Sequence, residues 1–442
     1  MTLPRAAKPT IRFIDEYCQQ YAELFPTVQS FESFKYLHLG MISELKRKTL
    51  PAIARSVGLN NSQGLLNFLT ESPWKVYRLR QARLSLILSL LQDEEIILLI
   101  DETGDCKKGQ ATDYVQRQYI GNVGKRENGI VAVTAYALYN GMILPLCFEV
   151  YKPKPRLRPI PHSDAIEEYR SKPVIAAQMI RDLKAMGFHI RLVLADSLYG
   201  ESHSNFVQIL EQLELPYILS IRSNHAVWLP QEQEVTSEPW QEFTRTFSNG
   251  DTERRYRSEI IFGHRRTQRY WLLTTDPETL PDNSTVYVMS NAPAIELDQI
   301  GDEYGYRTWI EYGLKQSKDA LGWADFRVTH YEQIERWWEV VMSAFTMVCL
   351  FAQQFNTHCP ITHQIFAQHP WWQNQTGWKN LLNNLRLIIQ PLICRNYLQH
   401  WATVFQIPKL MEAFEPLIEA MNQFDCPVIH DRIQPQSLFS SA

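Results

Sequence analysis

The chain has 442 residues, 45% hydrophobic and 21% charged, which is the composition of a globular protein with room for two or three cores. Its longest apolar run, Val340 to Ala352, is too short and too broken to span a bilayer, and no apolar stretch follows Arg5 and Lys8 to make a signal peptide. Seven cysteines without a Cys-x-x-Cys pair argue against a disulfide scaffold or a zinc site, and predict a reduced, cytoplasmic protein. The net charge of −4 does not favour nucleic acid, but residues 1–90 hold 12 Lys/Arg against 6 Asp/Glu, an excess of +6, whereas residues 331–442 hold 6 against 8.

Residues 11–90 are predicted helical, within a helical DNA-binding region spanning 1–93. Leu50–Val57, a stop at Gly58, a polar Asn60-Asn61-Ser62 start and Leu65–Leu69 make a helix-turn-helix pattern. Lys46, Arg47, Lys48 and Arg55 lie before or in its first helix, and Lys75, Arg78, Arg80 and Arg83 follow. Phosphate contact or an ordinary solvated basic face would account for them equally.

Ile96 to Ile100 is a continuous apolar run that suits a strand buried on both faces, ending at Asp101 with Glu102 and Asp105 beyond. A carboxylate at such an exit has no structural reason to be there. Tyr114–Tyr119, Ile130–Tyr139 and Met142–Tyr151 follow as strands, the last two joined by the hairpin dipeptide Asn140-Gly141. A proline-rich exit, Lys152–His162, leads to a helix over Val174–Met186 closed by Gly187. Ile190–Ala195 is a second buried strand ending in an aspartate, Asp196, and is followed by a helix over Ser202–Leu213 and a strand over Pro216–Ile221. This α/β order is that of a ribonuclease-H-like mixed sheet over 94–222 and 286–330, which would bring Asp101 and Asp196 to one edge. Residues 223–285, with short polar strands and an Asn249-Gly250 turn, read as an inserted β-rich subdomain. Residues 331–442 read as a helical region and tail whose tryptophans, Trp337, Trp338, Trp371, Trp372 and Trp378, are packing residues.

Tyr304, Arg307, Glu311 and Lys318 would fall within roughly 60° of arc on one α-helix, beside an apolar stripe at Ile310, Leu314 and Leu321. A solvated helix with an Arg307–Glu311 pair fits the same spacing. Three carboxylates gathered at one place repel unless cations lie between them, and hard oxygen ligands select Mg²⁺ or Mn²⁺.

The Tyr-x2-Arg-x3-Glu-x6-Lys spacing resembles the last catalytic motif of the DDE transposases of bacterial insertion sequences. Ile100-Asp101-Glu102-Thr103-Gly104 with Lys107-Lys108-Gly109, Arg117-Gln118-Tyr119-x-Gly121, and Ala195-Asp196-Ser197-x-Tyr199-Gly200 are similar to other motifs of that group. The resemblance, covering roughly residues 94–330, implies Asp101, Asp196 and Glu311 as catalytic ligands of two Mg²⁺ or Mn²⁺ ions. Asp101 and Glu102 compete for the first position, and Asp101 is preferred for its short arm at a strand end. It further implies that Tyr304, Arg307, Lys318, Lys107, Lys108 and Arg117 face double-stranded DNA, both terminal repeats and target. It also implies a homodimer in the DNA complex. Tyr270-Trp271-Leu272-Leu273-Thr274 resembles the insertion strand of hairpin-forming members, in which a tryptophan stacks on a flipped base. A domesticated DNA-binding protein or a non-mobile nuclease of the same fold is the alternative.

Overall fold

A computed structural model describes residues 5–160, 165–225, 234–247, 251–262, 268–292, 299–356, 365–374, 377–405 and 407–424. The Asn249-Gly250 turn and most of the expected tail lie outside the described residues. Two compact units result, one of residues 1–90 with 315–442 and one of residues 91–314. The two terminal regions, read as separate in sequence, thus pack together. Among the described residues no helix is long and apolar enough to cross a membrane.

The first unit is helical. Thr27 and Thr49 cap the helices Val28–Ile42 and Leu50–Ser56 by accepting from Ser30 N and Ala52 N. Gly58, at φ +76°, ends the second of these, and Gln63–Thr70 completes the expected helix-turn-helix. The long helices Tyr331–Asn356 and Trp378–Val404 supply much of the core, in which Trp338 stacks on Trp323 at 4.5 Å between ring centres. Trp337, Trp338 and Trp378 are buried as expected, but Trp371 is 66% exposed, since it lies on a short irregular stretch outside both helices.

The basic excess of residues 1–90 is partly consumed inside this unit. Arg83 donates to Glu339 at 2.8 Å with both side chains wholly buried, and Arg80 bridges Glu339 and Glu335 at 2.9 and 3.2 Å. Lys48 is also buried, its ammonium on the Ser43 carbonyl. Lys46, Arg47, Arg55, Lys75 and Arg78 remain exposed, so the predicted DNA-facing set shrinks to these five.

His38, fully buried on Val28–Ile42, donates from Nδ1 to the Phe34 carbonyl at 2.8 Å and accepts at Nε2 from Ser343 at 2.9 Å. Burial pushes its pKa down to about 4. The neutral ring is therefore the native form. Its stability contribution is complete above the unfolded value of about 6.5 and is lost as pH falls towards 4, a total of about 3 kcal/mol. Urea titrations between pH 7 and pH 4 should show His38→Gln with a flatter pH dependence than wild type; parallel curves would refute this.

The second unit is built on one 11-stranded sheet. Its centre is β1 (Ile96–Cys106), with β3 (Lys125–Tyr139) antiparallel on one side and β5 (Ile190–Ala195) parallel on the other. β2 (Gln116–Ile120) and β4 (Met142–Val150) both pair with β3, and β6 (Tyr217–Ile221) lies parallel to β5. Asn140 and Gly141 take φ values of +47° and +70°, which the predicted tight hairpin between β3 and β4 requires. The helix Lys172–Ala185, ended at Gly187 (φ +100°), makes the crossover into β5. This is the expected ribonuclease-H-like mixed sheet.

One expectation is corrected. β1 does not end at Asp101: pairing with β3 carries it through Asp105 to Cys106, so Asp105 is a buried strand residue rather than a loop residue. Only the parallel ladder to β5 stops at Ile100–Ala195. In the 223–285 segment, β7 (Val235–Ser237), β8 (Gln241–Thr246), β9 (Thr252–Phe262) and β10 (Arg269–Thr274) extend the main sheet, because β11 (Val286–Ser290) pairs with both β10 and β6.

Candidate active site

The parallel register sets Ile100 opposite Ala195, so Asp101, within β1, lies level with Asp196 at the exit of β5. Asp196 caps the short helix Ser197–Gly200, accepting from Leu198 N at 2.9 Å, and this fixes its carboxylate at the strand exit. Gly200 is needed there because a Cβ would collide with the Ser220 carbonyl oxygen of β6. Asp101 is aligned by its neighbours: its carboxylate accepts from Glu102 N at 2.8 Å, and its carbonyl accepts from Thr134 Oγ1 at 2.9 Å.

Glu311 stands on the helix Thr308–Asp319. That helix comes close to the sheet at Gly313, where a Cβ would lie 3.1 Å from Tyr136 and Ile143. The expected single helix from Tyr304 to Lys318 is broken. Ile300–Gly305 is a separate helix, and Tyr306 and Arg307 form the joint, with Arg307 N, Trp309 N and Ile310 N bonding carbonyls three residues back. Tyr304, Arg307 and Glu311 are therefore not one helical row. Lys318 is in the last turn of the second helix.

The joint places Arg307 between the acids. Its Nη2 donates to Asp101 Oδ2 at 3.2 Å and its Nη1 to Glu311 Oε1 at 3.3 Å. Burial pushes the Asp101 carboxyl up to about 7; Arg307 opposes this, while Asp196 and Glu102 add to it. For Arg307, burial works against the charge, but Asp101, Tyr304, Asp196 and Glu311 outweigh it and hold its pKa above the ordinary value. Tyr304, half-buried, is pushed up mainly by burial, with Arg307 and a hydrogen bond to Ser220 acting the other way.

Glu102 is committed elsewhere: it accepts from Lys172 at 2.9 Å and from the buried Tyr199 at 3.3 Å. Lys172 and the role of Tyr199 escaped sequence reading. Tyr199 lay within a quoted motif, while Lys172 starts a helix after the proline-rich exit and carries no local signal. Lys108 and Arg117 are exposed and Lys107 half-buried, all on the far part of the β1–β2–β3 ladder. Trp271, for which the sequence leaves base stacking and core packing both open, is only 4% exposed on β10 between β9 and β11, with the Arg269 guanidinium over its ring at 5.1 Å.

Among the described residues no three His, Cys, Asp or Glu side chains stand close enough together to hold a metal ion. The donors nevertheless fit a divalent cation: hard carboxylate oxygens of Asp101 and Asp196 level on adjacent strands and of Glu311 on the helix, with a cationic group already drawn between Asp101 and Glu311.

Comparison with known proteins bears on the family. Residues 21–246 match the DDE superfamily endonuclease family, and residues 160–347 match the transposase DDE domain. Over 367 residues the chain is 55% identical to a Microchaete diplosiphon protein described as "Probable transposase for insertion sequence element IS701", covering 83% of this chain and 95% of that one. With this sheet and likeness over most of its length, the chain belongs to the DDE transposases of insertion sequences, a family of DNA-cleaving enzymes.

Proposed function

We propose that this transposase binds the terminal repeats of its element, cuts the DNA there and joins the ends to target DNA, with Asp101, Asp196 and Glu311 as the ligands of two Mg²⁺ or Mn²⁺ ions. The observation that carries this reading is the convergence itself. Arg307 draws together carboxylates 210 positions apart in sequence, and the strand register puts Asp196 level with Asp101. When bound, such a metal pair lowers the pKa of a nucleophilic water or 3′-hydroxyl and stabilises the leaving oxygen.

The remaining roles belong to the chain. Asp101 and Asp196 are oriented by the backbone N–H groups of Glu102 and Leu198, which would position what they bind. Lys172 and Tyr199 hold Glu102, which supports Asp101 as the first ligand. Arg307, with Tyr304 and Lys318, would grip the phosphates next to the cut, the guanidinium by a planar fork. Lys107, Lys108 and Arg117 extend that contact. Lys46, Arg47, Arg55, Lys75 and Arg78 give the amino-terminal helices a phosphate-binding face for end recognition. Two copies would act together, one on each end.

The test is a duplex carrying the sequence that flanks the element's own coding region, incubated with protein and Mg²⁺ or with EDTA. Cleavage at the repeat boundary in Mg²⁺ and none in EDTA is expected. Cleavage unchanged in EDTA would end the metal-ion reading. The resemblance also implies a hairpin at the cut end, seen on a denaturing gel as double-length, self-complementary strands. With Trp271 inside the sheet, that step would need another aromatic group or a displaced β10 strand.

A further inference from the structure

We propose that Arg307 is the resident counter-ion of the carboxylate site in the DNA-free protein, and that its transfer to a DNA phosphate opens Asp101 and Glu311 to a divalent cation. The inference rests on the carboxylate site proposed above and adds a control to it: metal loading coupled to DNA binding.

The contacts of Arg307 are those of a stand-in rather than a permanent strut. It gives one N–H to each carboxylate, at 3.2 and 3.3 Å, the long end of the hydrogen-bond range. Neither contact is the two-pronged fork that makes arginine–carboxylate pairs strong. Its Nε is buried without a hydrogen-bond partner, so one donor goes unsatisfied in this arrangement. By contrast, the structural pair Arg83–Glu339 is wholly buried at 2.8 Å. A phosphate would offer Arg307 the planar, bidentate geometry it lacks here.

Its position allows the exchange. Arg307 lies in the joint between the helices Ile300–Gly305 and Thr308–Asp319, so its side chain can be redirected without unwinding either. A guanidinium held between Asp101 and Glu311 and a divalent ion on the same oxygens would repel strongly at that range. Arg307 and metal are therefore competitors, and DNA decides between them. Linkage then makes the effect mutual: metal must tighten DNA binding by the factor by which DNA tightens metal binding.

The experiment is a Mn²⁺ titration of the full-length protein, followed by the electron paramagnetic resonance of the free ion, with and without a duplex of the terminal sequence. Wild-type affinity should rise about tenfold or more on adding DNA, within the usual range of coupling between sites. Arg307→Gln should bind Mn²⁺ without DNA nearly as well as wild type does with it, and its response to DNA should fall below about threefold. Equal wild-type affinity in both conditions would overturn the inference, and that arm needs no variant. A wild-type response retained in Arg307→Gln would overturn it too. Asp101→Asn separates the two layers. If it abolishes Mn²⁺ binding while DNA still has no effect on wild type, the site stands and only the exchange fails. If Mn²⁺ binding is indifferent to Asp101→Asn, both fall.

Discussion

Asp101→Asn should leave a folded protein that still binds terminal-repeat DNA and cuts it at least about a thousandfold more slowly. The metal ions of such a site supply several kcal/mol of charge stabilisation in the transition state, and losing about 4 kcal/mol costs about three orders of magnitude in rate. Stability should not follow activity down. Burial holds the Asp101 carboxyl at about 7, which means that the fold pays to keep it ionised. An amide of the same shape removes that cost and still accepts from Glu102 N. Asp196→Ala and Glu311→Ala should be equally inactive. Glu102→Gln is the control: it weakens the Lys172 contact but supplies no metal ligand, so its loss should be smaller. Normal cleavage by Asp101→Asn, with Glu102→Gln inactive, would reassign the first ligand. Gel-shift, melting temperature and cleavage rate together decide the matter.

The second large effect concerns the helical unit. Glu339→Ala should destabilise it by about 3–5 kcal/mol, the usual cost of leaving one member of a buried ion pair alone. Arg83 has no exposed surface and donates to Glu339 at 2.8 Å, and Arg80 donates to the same carboxylate at 2.9 Å. Two guanidiniums would lose a shared carboxylate deep in the fold. Glu339→Gln, which keeps an acceptor but no charge, should cost less. Chemical denaturation of the full chain, monitored by tryptophan fluorescence, reports it through Trp337 and Trp338 on the same helix. A loss below 1 kcal/mol for Glu339→Ala would show that the pair is not part of what holds the unit together.

The local parts of this structure were legible in the sequence. The apolar runs before Asp101 and Asp196 marked buried strands, Asn140-Gly141 marked a hairpin and Gly187 a helix end, since each depends on the conformational needs of a few neighbouring residues. What was not legible depends on partners far along the chain. β1 runs past Asp101 because β3 is there to pair with it, and nothing in Glu102–Cys106 announces that. Arg80 and Arg83 resembled a DNA-facing basic row because their acids lie more than 250 positions away. The break at Arg307 was hidden by a spacing that suits an unbroken helix, yet it is the break that delivers the guanidinium to Asp101.

The way the sheet continues past β6 also bears on solubility. β6 is buried through Tyr217, Ile218 and Leu219, and β11 occupies its outer hydrogen-bonding side. A chain trimmed to stop at residue 222, as though the catalytic core ended there, would present an open row of backbone donors and acceptors flanked by apolar side chains. Such an edge invites other chains to add to it. In the intact protein the sheet instead runs out through strands that become steadily more polar. Its outermost strands are β7 and β8, the latter with Glu242 and Arg245, and β9 beside them carries Glu253, Arg254, Arg255 and Arg257. The inserted strands thus keep a sheet of this width from becoming sticky, whatever they also contribute to handling DNA.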